Sequence, residues 1–307
     1  MTWRLAIGLS CLWMAGCHPL TSIPTYWPPT TAEHTPAPTR EAPPEPVVPK
    51  PRPRQAKVRL KGPPECMSVY VVSAQNKLLA FDPQDNRFNE RGTLKCPGAG
   101  WSTPFSMAVS KTGVAHVLFQ DGKLYRAGID DAECQATPFQ PSQHGFNLFG
   151  MGYGKIGNDE VLYVADVGFY RRSKGLARID TESYTLHPVA PFSDNPGFNI
   201  ELTPTGRGLL HGYFINTYDA GGTLVAIDTA SAEIVRSTRL LVGTRSHSLA
   251  IAWWGGNFYI FTAMPGGTEV TRYDPKSESA TVVATIDQTI VGAGVSTCAP
   301  DGRAAMR

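Results

Sequence analysis

One motif recurs along this chain: a short apolar stretch runs into an aspartate and then a small polar turn. Its copies are Phe81-Asp82-Pro83, Ile129-Asp130-Asp131, Ile179-Asp180-Thr181, Ile227-Asp228-Thr229 and Tyr273-Asp274-Pro275. Successive aspartates lie 48, 50, 48 and 46 residues apart. A period of that length belongs to radial β-repeats, in which no unit buries its own core and each must pack on its neighbours. The spacing predicts an all-β, five-bladed β-propeller.

Strand patterning agrees. From about residue 63 onward, apolar runs are separated by glycine, asparagine and aspartate, as in strands joined by tight turns, and no amphipathic helix stands out. Aligned on the period, inner strands fall at 106–110, 150–154, 200–203, 249–253 and 292–296, with second strands at 115–120, 161–165, 209–215, 258–263 and 69–74. Small residues recur in the inner strands, as crowding toward an axis requires. The fifth pair comes from opposite ends of the chain. Residues 291–297 are therefore expected to pair with residues 67–74 and close the ring, which removes the open edge of a sheet. As metal ligands the recurring aspartates are the weaker reading; at the end of a strand, aspartate accepts backbone N–H bonds and sets the next turn.

Closure carries a prediction about sulfur. Cys298 ends the last inner strand and Cys66 begins its antiparallel neighbour, so the two should lie opposite each other. Cys96 and Cys134 then pair by elimination, the alternative being two free buried thiols. Disulfides suit an exported protein, and the N-terminus reads as an export signal over residues 1–16. Arg4 supplies the positive charge, residues 5–14 an apolar run, and Ala15-Gly16 small residues before Cys17. That run is shorter than the ~20 residues a bilayer span needs.

Met14-Ala15-Gly16-Cys17 resembles the lipobox of bacterial lipoproteins, with methionine where leucine is usual; a plain secretory signal is the alternative. The resemblance implies lipidation of Cys17, with acyl chains such as palmitate, and a membrane anchor. His18, in place of the aspartate that retains enteric lipoproteins at the inner membrane, favours the outer membrane. Residues 17–60 then form a proline-rich linker that cannot bury a core and favours polyproline II. Lys50, Arg52, Arg54, Lys57, Arg59 and Lys61 end it as a solvated basic tether or a contact for an anionic surface. The propeller takes 61–300 and a short tail 301–307. A net charge of +2 and the lack of any nucleic-acid-reading motif set nucleic acid aside.

Over most of the folded part, the segments PFSMAV at 104–109, VLFQDG at 117–122, Gly145-Phe146, FGMG at 149–152, WGGNFY at 254–259, VTRYD at 270–274 and IVGAGVSTCAP at 290–300 resemble a group of uncharacterised myxobacterial lipoproteins. The resemblance implies a lipid anchor and a single domain, and no activity.

Chemistry is sparse. No Gly-x-Ser-x-Gly elbow, His-x-x-x-His, Cys-x-x-Cys or EF-hand pattern occurs. The loops that lead into the inner strands, and those joining second to third strands, share one face. That face carries Trp101, His144, Tyr170, Arg171, Asp194, Asn195, Tyr218 and His247, which makes it the candidate surface for an envelope protein or glycan. Glu201 is the one carboxylate on an inner strand. With Asp194 and Asn195 it forms the ligand set of an alternative reading, a calcium-dependent lactonase or esterase, since hard oxygens suit a hard cation. The first reading is a non-catalytic binding or scaffold module that needs no cofactor.

Overall fold

The computed structural model describes residues 63–302 apart from 169–171, 195–196, 198, 206–208, 216–220, 244–245 and 247. The signal, Cys17, the linker with its basic residues, most of the tail, and Tyr170, Arg171, Asn195, Tyr218 and His247 lie outside the described residues.

A short helix, α1 (Pro64–Met67), leads into the strands. The first blade holds β1 (Val69–Ser73), β2 (Lys77–Asp82) and β3 (Arg87–Thr93). Next come β4 (Pro104–Val109), β5 (Val114–Phe119), β6 (Leu124–Gly128) and β7 (Cys134–Ala136). The third blade is β8 (Phe149–Ile156), β9 (Asp159–Asp166), β10 (Leu176–Ile179) and β11 (Leu186–Ala190). The fourth is β12 (Asn199–Pro204), β13 (Leu210–Ile215), β14 (Gly222–Ile227) and β15 (Ile234–Leu240). The fifth is β16 (Ser248–Trp254), β17 (Asn257–Met264), β18 (Gly267–Asp274) and β19 (Ser279–Ile286), and β20 (Ile290–Gly294) ends the series. All five sheets are four-stranded, and the first has the order β20-β1-β2-β3. The chain is a five-bladed β-propeller, closed where β20 pairs antiparallel with β1, Gly294 opposite Tyr70 and Gly292 opposite Val72.

The inner strands β4, β8, β12, β16 and β20 neighbour one another in a ring. Glycine makes that approach possible. A Cβ on Gly150 would meet the Ile200 carbonyl oxygen at 2.0 Å, and one on Gly292 would meet the Met107 nitrogen at 2.7 Å. The apolar faces of the blades meet in cores between neighbours, which is why none could stand alone. Between the fifth and first blades, Phe81 packs with Phe261 and Val295; between the first and second, Tyr70 packs with Met107 and Val117. Outer strands such as β3 and β19 are mostly exposed, β3 with a mainly polar sequence.

Both expected disulfides are present. Cys66 joins Cys298 with Cα atoms 5.2 Å apart, and Cys96 joins Cys134 at 4.9 Å. Beside the first, the Trp254 indole N–H donates to the Cys66 carbonyl at 3.1 Å, and Trp254 and its neighbour Trp253 pack into the cores on either side of the fifth blade.

Four of the five recurring aspartates, Asp82, Asp180, Asp228 and Asp274, are turn-setters. Oδ1 of Asp180 accepts the N–H groups of Glu182 and Ser183, and Oδ1 of Asp228 those of Ala230 and Ser231. These bonds hold both carboxyls below the usual carboxylate range. The second blade departs from the expected register. Gly128 occupies the aspartate's place, since its carbonyl accepts the N–H of the residue four positions on, Ala132, just as those of Asp180 and Asp228 accept Tyr184 and Ala232. Asp131, not Asp130, supplies the side-chain bond there, to the Glu133 N–H. Ala132, Tyr184 and Ala232 all have φ near +60°, so the turn conformation is the same without the aspartate in its usual position.

Candidate functional site

Every inner strand begins at one end of the ring, and a cavity of about 310 Å³ opens there on the axis. Its walls are the first residues of four inner strands: Pro104 and Phe105 of β4, Asn199 to Glu201 of β12, Ser248 and Leu249 of β16, and Val291 of β20. Ala74, Gln120 and Val167 close it from the ends of second strands. This is the end to which the sequence assigned the loop face.

Glu201 lies within this mouth and is only 6% exposed. The Ser106 hydroxyl, from two blades away, donates to its Oε2 at 2.8 Å, and the Met151 N–H donates to Ser106 Oγ at 3.2 Å. Burial is the largest influence on the Glu201 carboxyl and pushes its pKa well up, against the smaller pull of Ser106 and the Met151 backbone. No charged side chain among the described residues opposes that effect. Burial therefore favours a neutral acid, which carries an O–H to donate. Two residues earlier, Asn199 Oδ1 is buried and has no hydrogen-bond partner among the described residues. Ser248 Oγ donates to the Ile290 carbonyl at 3.0 Å, which ties β16 to β20 across the rim.

Of the expected binding residues, Trp101 is fully exposed in the loop before β4, where Ser102 and Lys123 anchor the loop to its own blade. His144 is exposed in a short turn at φ +50°. Asp194 is exposed in the loop before β12. Among the described residues, no group of three or more His, Cys, Asp or Glu is placed to hold a metal ion, and Glu201 is the one acidic residue lining the mouth. The sequence offered no signal for Ser106 as the partner of Glu201, because 95 residues separate them.

A second buried polar cluster lies within the blades. His116 is bonded through Nδ1 to the Tyr153 hydroxyl at 2.8 Å and through Nε2 to the Tyr184 hydroxyl at 3.1 Å. Burial, with a smaller push from Arg126, lowers its pKa to about 4. With both ring nitrogens occupied and no cavity beside it in the mouth, it acts as a satisfied core histidine.

No family model matches this chain, and no curated protein does. The expected resemblance to myxobacterial lipoproteins finds no support in these comparisons. Solved propellers are similar in fold. A chain of a nidogen–laminin complex superposes with a TM-score of 0.47 at 10% identity, covering 74% of this chain and 97% of its own. The PQQ-bound aldose sugar dehydrogenase of Streptomyces coelicolor gives 0.42 at 12%, covering 76% and 83%. The calcium-binding protein regucalcin of Agrobacterium tumefaciens gives 0.36 at 13%, covering 72% and 70%. No activity passes from any of them to this chain.

Proposed function

We propose that this chain is a lipid-anchored protein of the bacterial cell envelope whose propeller binds an envelope protein or glycan at the mouth end of its ring, without catalysis. The observation that carries the binding part is the axial cavity, a concave site with apolar walls and a few convergent polar groups, of the kind small ligands and inserted side chains occupy. Trp101, exposed in the loop that leads into Pro104 and Phe105 of the cavity wall, supports the reading, because tryptophan is over-represented among residues that dominate binding energy. The anchor rests on the lipobox ending at Cys17, and the outer-membrane destination on His18.

Two experiments test it. Cross-linking of the full-length protein in envelopes, followed by capture, should recover one dominant partner, with yield reduced at least fivefold by Trp101→Ala. Undiminished capture by that variant contradicts the loop-face reading. Separately, Cys17→Ala should abolish palmitate labelling and release the protein to the soluble fraction; retention in membranes contradicts the anchor.

The rival, a calcium-dependent hydrolase, is favoured by one observation: an acid, Glu201, sits on the axis. It needs Glu201 ionised, with Asp194 and the neutral amide oxygen of Asn195 as further ligands, whereas burial favours the neutral form of Glu201. A large calcium-dependent rise in melting temperature, lost on Glu201→Gln, would select it.

A further inference from the structure

Asn199 and Glu201 stand two residues apart on β12, and side chains at that spacing leave the same side of a strand. Both line the axial cavity. One offers a buried acceptor without a partner, and the other an acid whose Oε2 already accepts from Ser106. A cation is a poor occupant for an acid that burial favours as neutral, and an anion finds no charged donor among the lining residues. What fits is a neutral group with one donor and one acceptor. Two strand rises separate their Cα atoms by ~6.6 Å along β12. A trans amide suits two such partners, since its C=O and N–H point in opposite directions.

The walls are the first residues of inner strands, so a pendant amide can enter along the axis and reach both side chains. A side-chain carboxamide brings two N–H donors to the single orphan acceptor, and its methylenes lead back to its own backbone, leaving no terminal methyl for Phe105, Leu249 and Val291. An acetamido group has one N–H, one carbonyl and a methyl for those apolar walls.

Resting on the binding reading above, we infer that the axial mouth receives the acetamido group of an N-acetylated amino sugar, its N–H on Asn199 Oδ1 and its carbonyl on the Glu201 carboxyl. The sugar ring then lies at the rim, within reach of Gln120 and Ser248.

The test is calorimetric titration of the full-length protein with tri-N-acetylchitotriose, its de-acetylated counterpart, cellotriose and a glutamine-containing tripeptide. The acetylated sugar should bind at least tenfold more tightly than the other three. Glu201→Gln, which keeps a neutral donor, should stay within threefold of the parent; Glu201→Leu and Asn199→Leu should each weaken binding at least tenfold. Equal binding of acetylated and de-acetylated sugars overturns the inference, as does tighter binding of the tripeptide or a loss in Glu201→Gln as large as in Glu201→Leu. Should the variants fail to fold, the ligand series on the parent protein still decides. If no sugar binds while envelope capture through the loop face persists, the acetamido inference falls and the binding reading stands; if both fail, both fall.

Discussion

The two ends of the axial ring both carry polar ties between blades, but they differ in what their remaining polar groups face. At the far end, where the inner strands finish, three blades meet on one carboxylate. Glu160, at the start of β9, accepts the Lys111 N–H at 2.8 Å and the Thr297 hydroxyl at 2.7 Å, linking three blades through one carboxylate. Cys66–Cys298, the Trp254 bond to Cys66, and the Gly255 N–H on the Pro300 carbonyl fasten the chain's last turn onto the same end. At the mouth, by contrast, a carboxyl is buried with one hydroxyl partner and a neighbouring amide oxygen has none among the described residues. Among the described residues, buried polar atoms without a partner occur toward the far end as well, on Thr205, His211 and Trp253; the mouth differs in that its orphan acceptor belongs to a residue lining the axial cavity, where a ligand can satisfy it.

The largest expected effect lies at the fastened end. Joining positions 232 apart, the Cys66–Cys298 bridge stabilises by ~5 kcal/mol in the loop-entropy account. Cys66→Ser combined with Cys298→Ser should lower the chemical-denaturation midpoint accordingly. The Cys96–Cys134 pair closes only 38 residues and should matter less, by ~4 kcal/mol. The reverse order would place the critical fastening elsewhere. Next comes the ring itself: Gly150→Ala forces a methyl into the β12 backbone and should cost ~3 kcal/mol in denaturant unfolding.

The pH dependence sharpens the comparison because the two buried groups act in opposite directions. His116 has a folded pKa of about 4 against an ordinary 6.5, so the unfolded chain takes up its proton first. Its contribution is present above pH 6.5 and is lost, by ~3 kcal/mol, as the pH falls toward 4. Melting curves from pH 7 to 4 should show that loss, and His116→Gln should flatten it. Glu201 is raised instead, so its contribution is present below its ordinary pKa of 4.5 and is lost as the pH rises through the folded value. Glu201→Gln should therefore gain stability relative to the parent at alkaline pH. The smallest effect is expected from Thr297→Val, which removes one hydroxyl bond to Glu160 and should cost ~1 kcal/mol.

Much of the ring was legible in the sequence because its constraints are local and repeated. Period, strand alternation and the small residues of 292–296 place the closing strand, and the pairing of Cys66 with Cys298 follows from that topology. The second blade misled at Asp130 because an apolar residue before aspartate is a pattern of composition, while the turn is defined by backbone bonds that Gly128 can make as well. The mouth was legible only in part. Glu201 and Asn199 are visible as neighbours at the start of an inner strand, but Ser106 reaches Glu201 from another blade, and only the structure shows the Asn199 oxygen buried. The Glu160 staple was hidden for the same reason: its partners Lys111 and Thr297 are neighbours only after the ring closes.

The contrast between the ends is tested most directly by hydrogen exchange of the full-length protein, with and without soluble glycan fragments released from its own envelope. The account predicts added protection in segments 104–106, 199–201 and 248–249 at the mouth, with segment 295–302 at the far end unchanged. Protection gained at 295–302 with none at the mouth would contradict it.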